Sequence, residues 1–337
     1  LAGYVDSEGV LHLAAQSERS QVRNREEVVD RFQRLLRGAL KRRKHRRPAL
    51  LFDLDDLEGL RGWGQFAASR WEGWIREFQE RWAVQHADGL TVASRYLQAM
   101  ALDAGAPAGR IAWLPNGCEA EGPAVGTEEW RQARSVERER LGIPSDAPAL
   151  LWSTRFIEAD LRRVCDLLRQ ILDRRPATRV LIAGAGLAGQ EAEWKRLAAS
   201  LPSFQEGVLA LGWLPPAQWR AAALAADLAI LPLDDTDINR ARCPSTIPRL
   251  MALGLPLVLE DVGEASTYVE DGRTGRLVPA GDADGFAGAV DELQSRPAAR
   301  LEMGRAAADA ALSQWNWERL AGIAETAYLN ALQDVAK

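Results

Sequence analysis

A helix stopped by glycine and followed at once by an apolar strand restricts the fold of this chain more than any other stretch. It runs Arg242-Cys243-Pro244-Ser245-Thr246-Ile247-Pro248-Arg249-Leu250-Met251-Ala252-Leu253-Gly254-Leu255-Pro256-Leu257-Val258-Leu259-Glu260-Asp261-Val262-Gly263. Pro244 suits the first helical position, where its missing N–H would have had no partner. Gly254 suits the left-handed residue just past a helix end. Residues 255–259 are an apolar run of the kind found in a parallel strand covered on both faces. A helix start after a polar loop is also a natural anion site, because its free N–H groups and dipole face outward. In an α/β protein such a site lies beyond the carboxyl ends of the strands.

The same alternation extends through the second section. Strands are predicted at 149–152, 179–183, 208–211, 228–231, 255–259 and 275–278, with helices near 161–172, 190–199, 217–226, 244–253 and 284–294. That order specifies a parallel sheet with helices on both faces. In the first section, Asn24 and Glu27 make a capping pair ahead of Val28, Val29, Phe32, Leu35, Leu36, Ala39 and Leu40, which share one helical face. The basic run Lys41–Arg47 follows. Strands are expected at 49–54, 89–92 and 111–114, with an aromatic-rich helix over 63–86 and a helix capped by Ser94. A Gly- and Pro-containing loop after Glu119 places the domain boundary near 145. The expected parts are a partial first domain over 1–145, a second over 146–314, and a final helix over 315–337 capped by Asn316.

Composition narrows the function classes. A chain of 337 residues supports two full cores. Its net charge of −5 argues against a general nucleic-acid binder. No apolar run is long enough to span a bilayer. Cys118, Cys165 and Cys243 lie far apart, and the three histidines are scattered, so neither a zinc nor a redox spacing is present. The cysteines fit small apolar packing in a reduced, cytoplasmic setting. The chain begins at Leu1 with neither Met nor signal peptide, and is expected to be truncated at its N-terminus.

At this point an ordered set of short motifs resembles a known family. Ala87-Asp88-Gly89-Leu90-Thr91-Val92-Ala93-Ser94 and Leu114-Pro115-Asn116-Gly117 are followed by Val180-Leu181-Ile182-Ala183-Gly184-Ala185-Gly186, Leu211-Gly212-Trp213-Leu214-Pro215 and Ala225 to Pro232. Met251 to Pro256 and Glu270 to Pro279 complete the series. Together they resemble GT-B glycosyltransferases of the glycosyltransferase 4 (group 1) type. The resemblance implies an α/β fold of two Rossmann-like domains with parallel sheets facing a cleft, the first incomplete here. It implies a nucleotide-sugar donor on the C-terminal domain and a glycan or lipid-linked acceptor on the N-terminal one, with the last helix crossing back. The implied reaction is hexose transfer with retention of configuration. It needs no cofactor or metal, because protein cations and helix dipoles stabilise the departing diphosphate.

The resemblance and the residues themselves give candidates, each with a plainer alternative. Arg155 matches the diphosphate-binding arginine, or is a surface arginine at a strand end. The partner lysine falls near Asp160, so Arg162 or Arg163 stands in for it or is simply solvated. Gly184 and Gly186 admit a nucleotide, or only turn the chain after a strand. Trp213 and Leu214 fall where the base is held. Pro244, Ser245 and Thr246 assist the diphosphate, and Gly263 with Glu264 admits the phosphates. Two glutamates that relatives carry eight positions apart, by the donor sugar and on the ribose, are here Ala241 and Arg249. An arginine can bind phosphate but accepts no hydrogen bond from ribose. Asp235, with Asp234 and Asp237, supplies an acid if the loop shifts, or belongs to a solvated acidic loop. Asp53, with Asp55 and Asp56, orients an acceptor hydroxyl or caps the next helix. Trp63, Trp71, Trp74 and Trp82 form core and cleft wall, or stack on sugar rings. Lys41–Arg47 is a solvated helix end, or docks on anionic lipid at the inner membrane face. The expected function is retaining hexosyl transfer. The alternative is a catalytically degenerate protein that binds nucleotide or sugar, or serves as a partner subunit.

Overall fold

Two sets of parallel strands organise the described residues, 48–187 and 189–336 of a computed structural model. In the first set, β1 (Leu51–Leu54), β2 (Gly89–Val92) and β3 (Ile111–Trp113) pair in the order β1-β2-β3. The helix α1 (Arg70–His86) joins β1 to β2, and α2 (Arg95–Asp103) joins β2 to β3. Both start as their sequences dictate. Ser69 accepts from Glu72 N, and Ser94 accepts from Leu97 N, so each hydroxyl satisfies a backbone donor that the first turn leaves open. The aromatic stretch 63–86 is not one helix. It splits into a short 3-10 turn at Trp63–Phe66 and then α1.

The second set is a six-stranded parallel sheet of β4 (Ala149–Ser153), β5 (Arg179–Ala183), β6 (Val208–Gly212), β7 (Leu228–Leu231), β8 (Leu257–Glu260) and β9 (Gly275–Val278). Its order is β6-β5-β4-β7-β8-β9. The helices around it are α3 (Glu128–Arg140), α4 (Leu161–Arg174), α5 (Gln190–Ala199), α6 (Pro202–Gly207) and α7 (Pro216–Ala225). There follow α8 (Asp237–Ala241), α9 (Thr246–Ala252), α10 (Ala265–Tyr268), α11 (Ala283–Ser295), α12 (Pro297–Gln314) and α13 (Trp317–Ala336). Every residue of β7 and β8 is buried, which is why 228–231 and 257–259 read as unbroken apolar runs. Leu150, Val180, Ile182, Leu228 and Val258 form the sheet side of the core, against Val164, Leu168 and Ile171 of α4 and Phe286 and Val290 of α11.

The stretch at 242–263 folds a little differently from expectation. The helix begins at Thr246, not Pro244, and β8 begins at Leu257, not Leu255. Pro248 explains the later start. A helix begun at Pro244 would need an N–H from residue 248, and proline has none; begun at Thr246, it keeps Pro248 in the first turn, where no N–H is required. Gly254 takes a φ of 74° after the helix, as expected.

The chain divides into two compact units. Described residues up to Leu114 group with those from Ala321 onward, and Pro115–Leu320 form the other. The division thus falls ahead of α3, between Leu114 and Pro115. The reason is a buried charge cluster. Asp227 accepts from Arg134 at 2.7 Å and from Arg300 at 2.8 Å, and Arg138 lies 3.5 Å away. Arg134 and Arg138 sit on α3 and also donate to the carbonyls of Leu224 and Ala225, which ties α3 to α7. Burial pulls the Arg134 guanidinium down to about 10, against the opposing pull of Asp227.

Candidate functional site

The order of the second sheet contains one switch point. From β4 the chain moves out through β5 and β6, then returns to start β7 on the other side of β4. Crevices beyond the carboxyl ends of two such strands are where open α/β sheets bind ligands. A pocket lies there, lined by Trp152 and Ser153 from the end of β4 and by Leu231, Pro232 and Leu233 from the end of β7. Glu158, Asn239, Arg242, Thr246 and Ile247 are also part of its wall.

The loop after β4 has unusual geometry. Phe156 adopts a φ of 61°, a left-handed conformation that is rare for a bulky residue. Its ring is buried 5.5 Å from Trp152 and 6.1 Å from Trp194, which holds the backbone in place. The turn this creates aims Arg155 N and Ile157 N at the Glu158 carboxylate, each at 3.1 Å. Thr154 Oγ1 donates to the same carboxylate at 2.8 Å, and Arg242 approaches it at 3.4 Å. Converging backbone N–H groups of this kind form an anion-binding concavity. Here the anion is the chain's own Glu158. Burial alone pushes this carboxyl up, but Arg242, the Thr154 hydroxyl and the loop N–H groups together hold it below its ordinary value.

Neighbouring loops close on this one. A Cβ built on Gly184, φ 150°, would stand 1.7 Å from Thr154 O, so only glycine lets the loops after β4 and β5 touch. Gly186 N donates to Glu191 at 2.6 Å. Trp213, at the end of β6, is 57% exposed. Leu214 follows it, half-buried. Gly263 has a φ of 58°, and a Cβ there would meet Asn239 O at 2.6 Å. Glu264 beside it is buried.

Several candidates have other duties. Asp160 does not replace a cation: it caps α4 by accepting from Arg162 N and Arg163 N. Arg163 is bound to the buried Glu260 at 2.7 Å and to Asp234 at 2.7 Å. Asp235 is exposed and paired with Arg240 at 2.6 Å, and that hydrogen bond holds its carboxyl below the usual range. Arg249 lies 4.4 Å over the Trp219 ring and 3.7 Å from Glu121, while Trp219 Nε1 donates to Ser153 Oγ at the end of β4. Pro244 lines the pocket beside Thr246, and Ser245 is exposed with no side-chain cap bond to α9. In the other unit, Asp53 lies on β1 and accepts from its register partner Thr91 on β2 at 2.6 Å. Trp71, Trp74, Phe78 and Trp82 lie on one stripe of α1 and are exposed, Trp71 at 71%, so they are not core. The basic run 41–47 lies outside the described residues.

Residues 147–296 match the family model described as Glycosyl transferases group 1, and residues 27–117 match that of the Glycosyl transferase 4-like domain. The chain belongs to the group 1, GT4-like glycosyltransferase family. A GDP-mannose-dependent alpha-(1-6)-phosphatidylinositol monomannoside mannosyltransferase of Mycolicibacterium smegmatis is 29% identical over 68% of this chain and 59% of the relative. A D-inositol 3-phosphate glycosyltransferase of Streptomyces avermitilis is 30% identical over 63% of this chain and 46% of the relative. The match thus spans about half the length of these curated relatives. Among solved structures, Anabaena HepE in complex with UDP-glucose aligns over 87% of this chain and 76% of its own, with a TM-score of 0.67 and 19% identity. Sucrose-phosphate synthase from Thermosynechococcus elongatus aligns over 97% and 84%, also with a TM-score of 0.67 and 19% identity. Both carry the GT-B fold.

Arg155 lies in the loop after β4 and Gly184 directly after β5, while Arg249 lies on α9. Asp53 belongs to the other unit, and Asp235 is engaged by Arg240. Glu158, Asn239 and Arg242 were missed. Two weak signals pointed to the first two: Glu158 stands three residues after Arg155, and Asn239 stands three after Thr236, which caps α8 through Asn239 N.

Proposed function

We propose that the protein is a retaining hexosyltransferase that uses a nucleotide-sugar donor and a glycan or lipid-linked acceptor, with no cofactor. The observation that carries this reading is the pocket at the β4/β7 switch point, flanked by the glycine-dependent contact of Gly184 with Thr154. In the reaction, the acceptor hydroxyl oxygen bonds to the anomeric carbon, the bond from that carbon to the diphosphate breaks, and the acceptor proton leaves with the diphosphate. The developing charge requires fixed donors. Arg155 is assigned that role, with the glycine loops at Gly184, Gly186 and Gly263 admitting the nucleotide. GDP-mannose, named for the M. smegmatis relative, and UDP-glucose, bound in the Anabaena structure, are the first donors to try. The exposed aromatic stripe of α1 supports acceptor-side contact with sugar rings or a lipid surface.

The test is release of nucleoside diphosphate from these donors in the presence of lipid and glycan acceptors. Arg155→Ala is expected to lower turnover about a hundredfold. Unchanged turnover in that variant removes Arg155 from the mechanism. One set of contacts favours the second reading, a binding or partner protein without transfer: Glu158 occupies the loop N–H groups and Arg242, and Arg249 is stacked on Trp219. In that case donors bind and no diphosphate is released.

A further inference from the structure

We propose that Asn239 selects an uncharged sugar at this pocket by accepting a hydrogen bond from one of its hydroxyls. The inference rests on the donor-binding reading above and narrows the donor to a neutral hexosyl group.

Asn239 is 5% exposed and lines the pocket. Its amide orientation is fixed, because Nδ2 donates to Glu158 O at 2.6 Å and to Asp234 O at 2.8 Å, and a flipped amide would set oxygen against oxygen. That leaves Oδ1 buried without a hydrogen-bond partner. A buried acceptor of this kind is costly unless a ligand supplies the donor.

The charge balance of the pocket disfavours an anionic sugar. The loop donors Arg155 N, Ile157 N and Thr154 Oγ1 already meet Glu158, and Arg242 is paired with the same carboxylate. A sugar carboxylate would face Glu158 and the Asn239 oxygen, both acceptors. A hydroxyl faces an acceptor that it can satisfy. The cavity of about 40 Å³ has room for two or three water-sized groups, so it takes the hydroxyl-bearing edge of a ring against Trp152 and Ile247.

Calorimetry on the full chain tests this with UDP, UDP-glucose and UDP-glucuronic acid, and with GDP and GDP-mannose. UDP-glucose or GDP-mannose is expected to bind about tenfold tighter than its bare nucleotide. Asn239→Ala is expected to erase that gain, measured as the ratio of sugar-nucleotide to bare-nucleotide affinity in the same variant. UDP-glucuronic acid is expected to bind no tighter than UDP. Mono-deoxy donors on the unmodified protein guard against a variant that fails to fold: one of them is expected to lose the gain. An intact gain in Asn239→Ala, an equal gain for the glucuronic donor, or mono-deoxy donors that all match the parent would each overturn the proposal. Tight nucleotide binding with no gain from any sugar overturns it alone. No binding of either nucleotide overturns the donor reading and this inference together.

Discussion

Glu158 shows how a single side chain redefines a site that the sequence outlines. The position of Arg155 after an apolar strand was legible, because strand ends and cations can be read from residue type. That the next carboxylate would fold back into its own loop was not, since it depends on Phe156 holding a positive φ against Trp152 and Trp194. The consequence is measurable. Glu158 is held below its ordinary value of 4.5 in the folded state, so its contribution is fully present above that value and is lost as pH falls through the folded value. Urea unfolding of the unmodified protein should therefore weaken more steeply on acidification below about pH 4.5 than that of Glu158→Gln. Equal slopes would show that the carboxylate is not engaged. At neutral pH, Glu158→Ala should lower stability by about 3–5 kcal/mol, because Arg242 then loses its buried partner.

Among elements, the strands were the most legible, since β7 and β8 are buried on both faces and show it in their residues. Starts and boundaries were harder. Pro244 looked like a first helical residue, yet Pro248 governs where α9 begins, a constraint that appears only when both prolines are set against the same hydrogen-bond ladder. The placement of α3 with the second unit was hidden because its partner, Asp227, lies far along the chain. Asp227→Ala should strand Arg134, Arg138 and Arg300 in a half-dry setting and cost about 3–5 kcal/mol, read as a shift in urea midpoint. Asp227→Asn should recover part of that loss, because its carbonyl still accepts from an arginine. A loss under about 0.5 kcal/mol for Asp227→Ala, the range of ordinary surface changes, would show that the cluster does not hold α3 in place.

At the scale of the molecule, each unit contributes a different kind of surface. The first carries an exposed aromatic stripe on α1 and Asp53 beside Thr91. The second carries the switch-point pocket and its loops. Order of motifs along the chain made the family legible, because that order follows the path of strands and loops through the two sheets. Donor identity was not legible, because it turns on which hydrogen-bond groups remain open after the loops fold. The central claim is that the second unit binds a nucleotide at the β4/β7 switch point. Amide hydrogen exchange with and without UDP or GDP tests it most directly. Protection is expected in the loops 154–160, 184–187 and 232–246. Binding without protection there, or with protection confined to other loops, would contradict the claim.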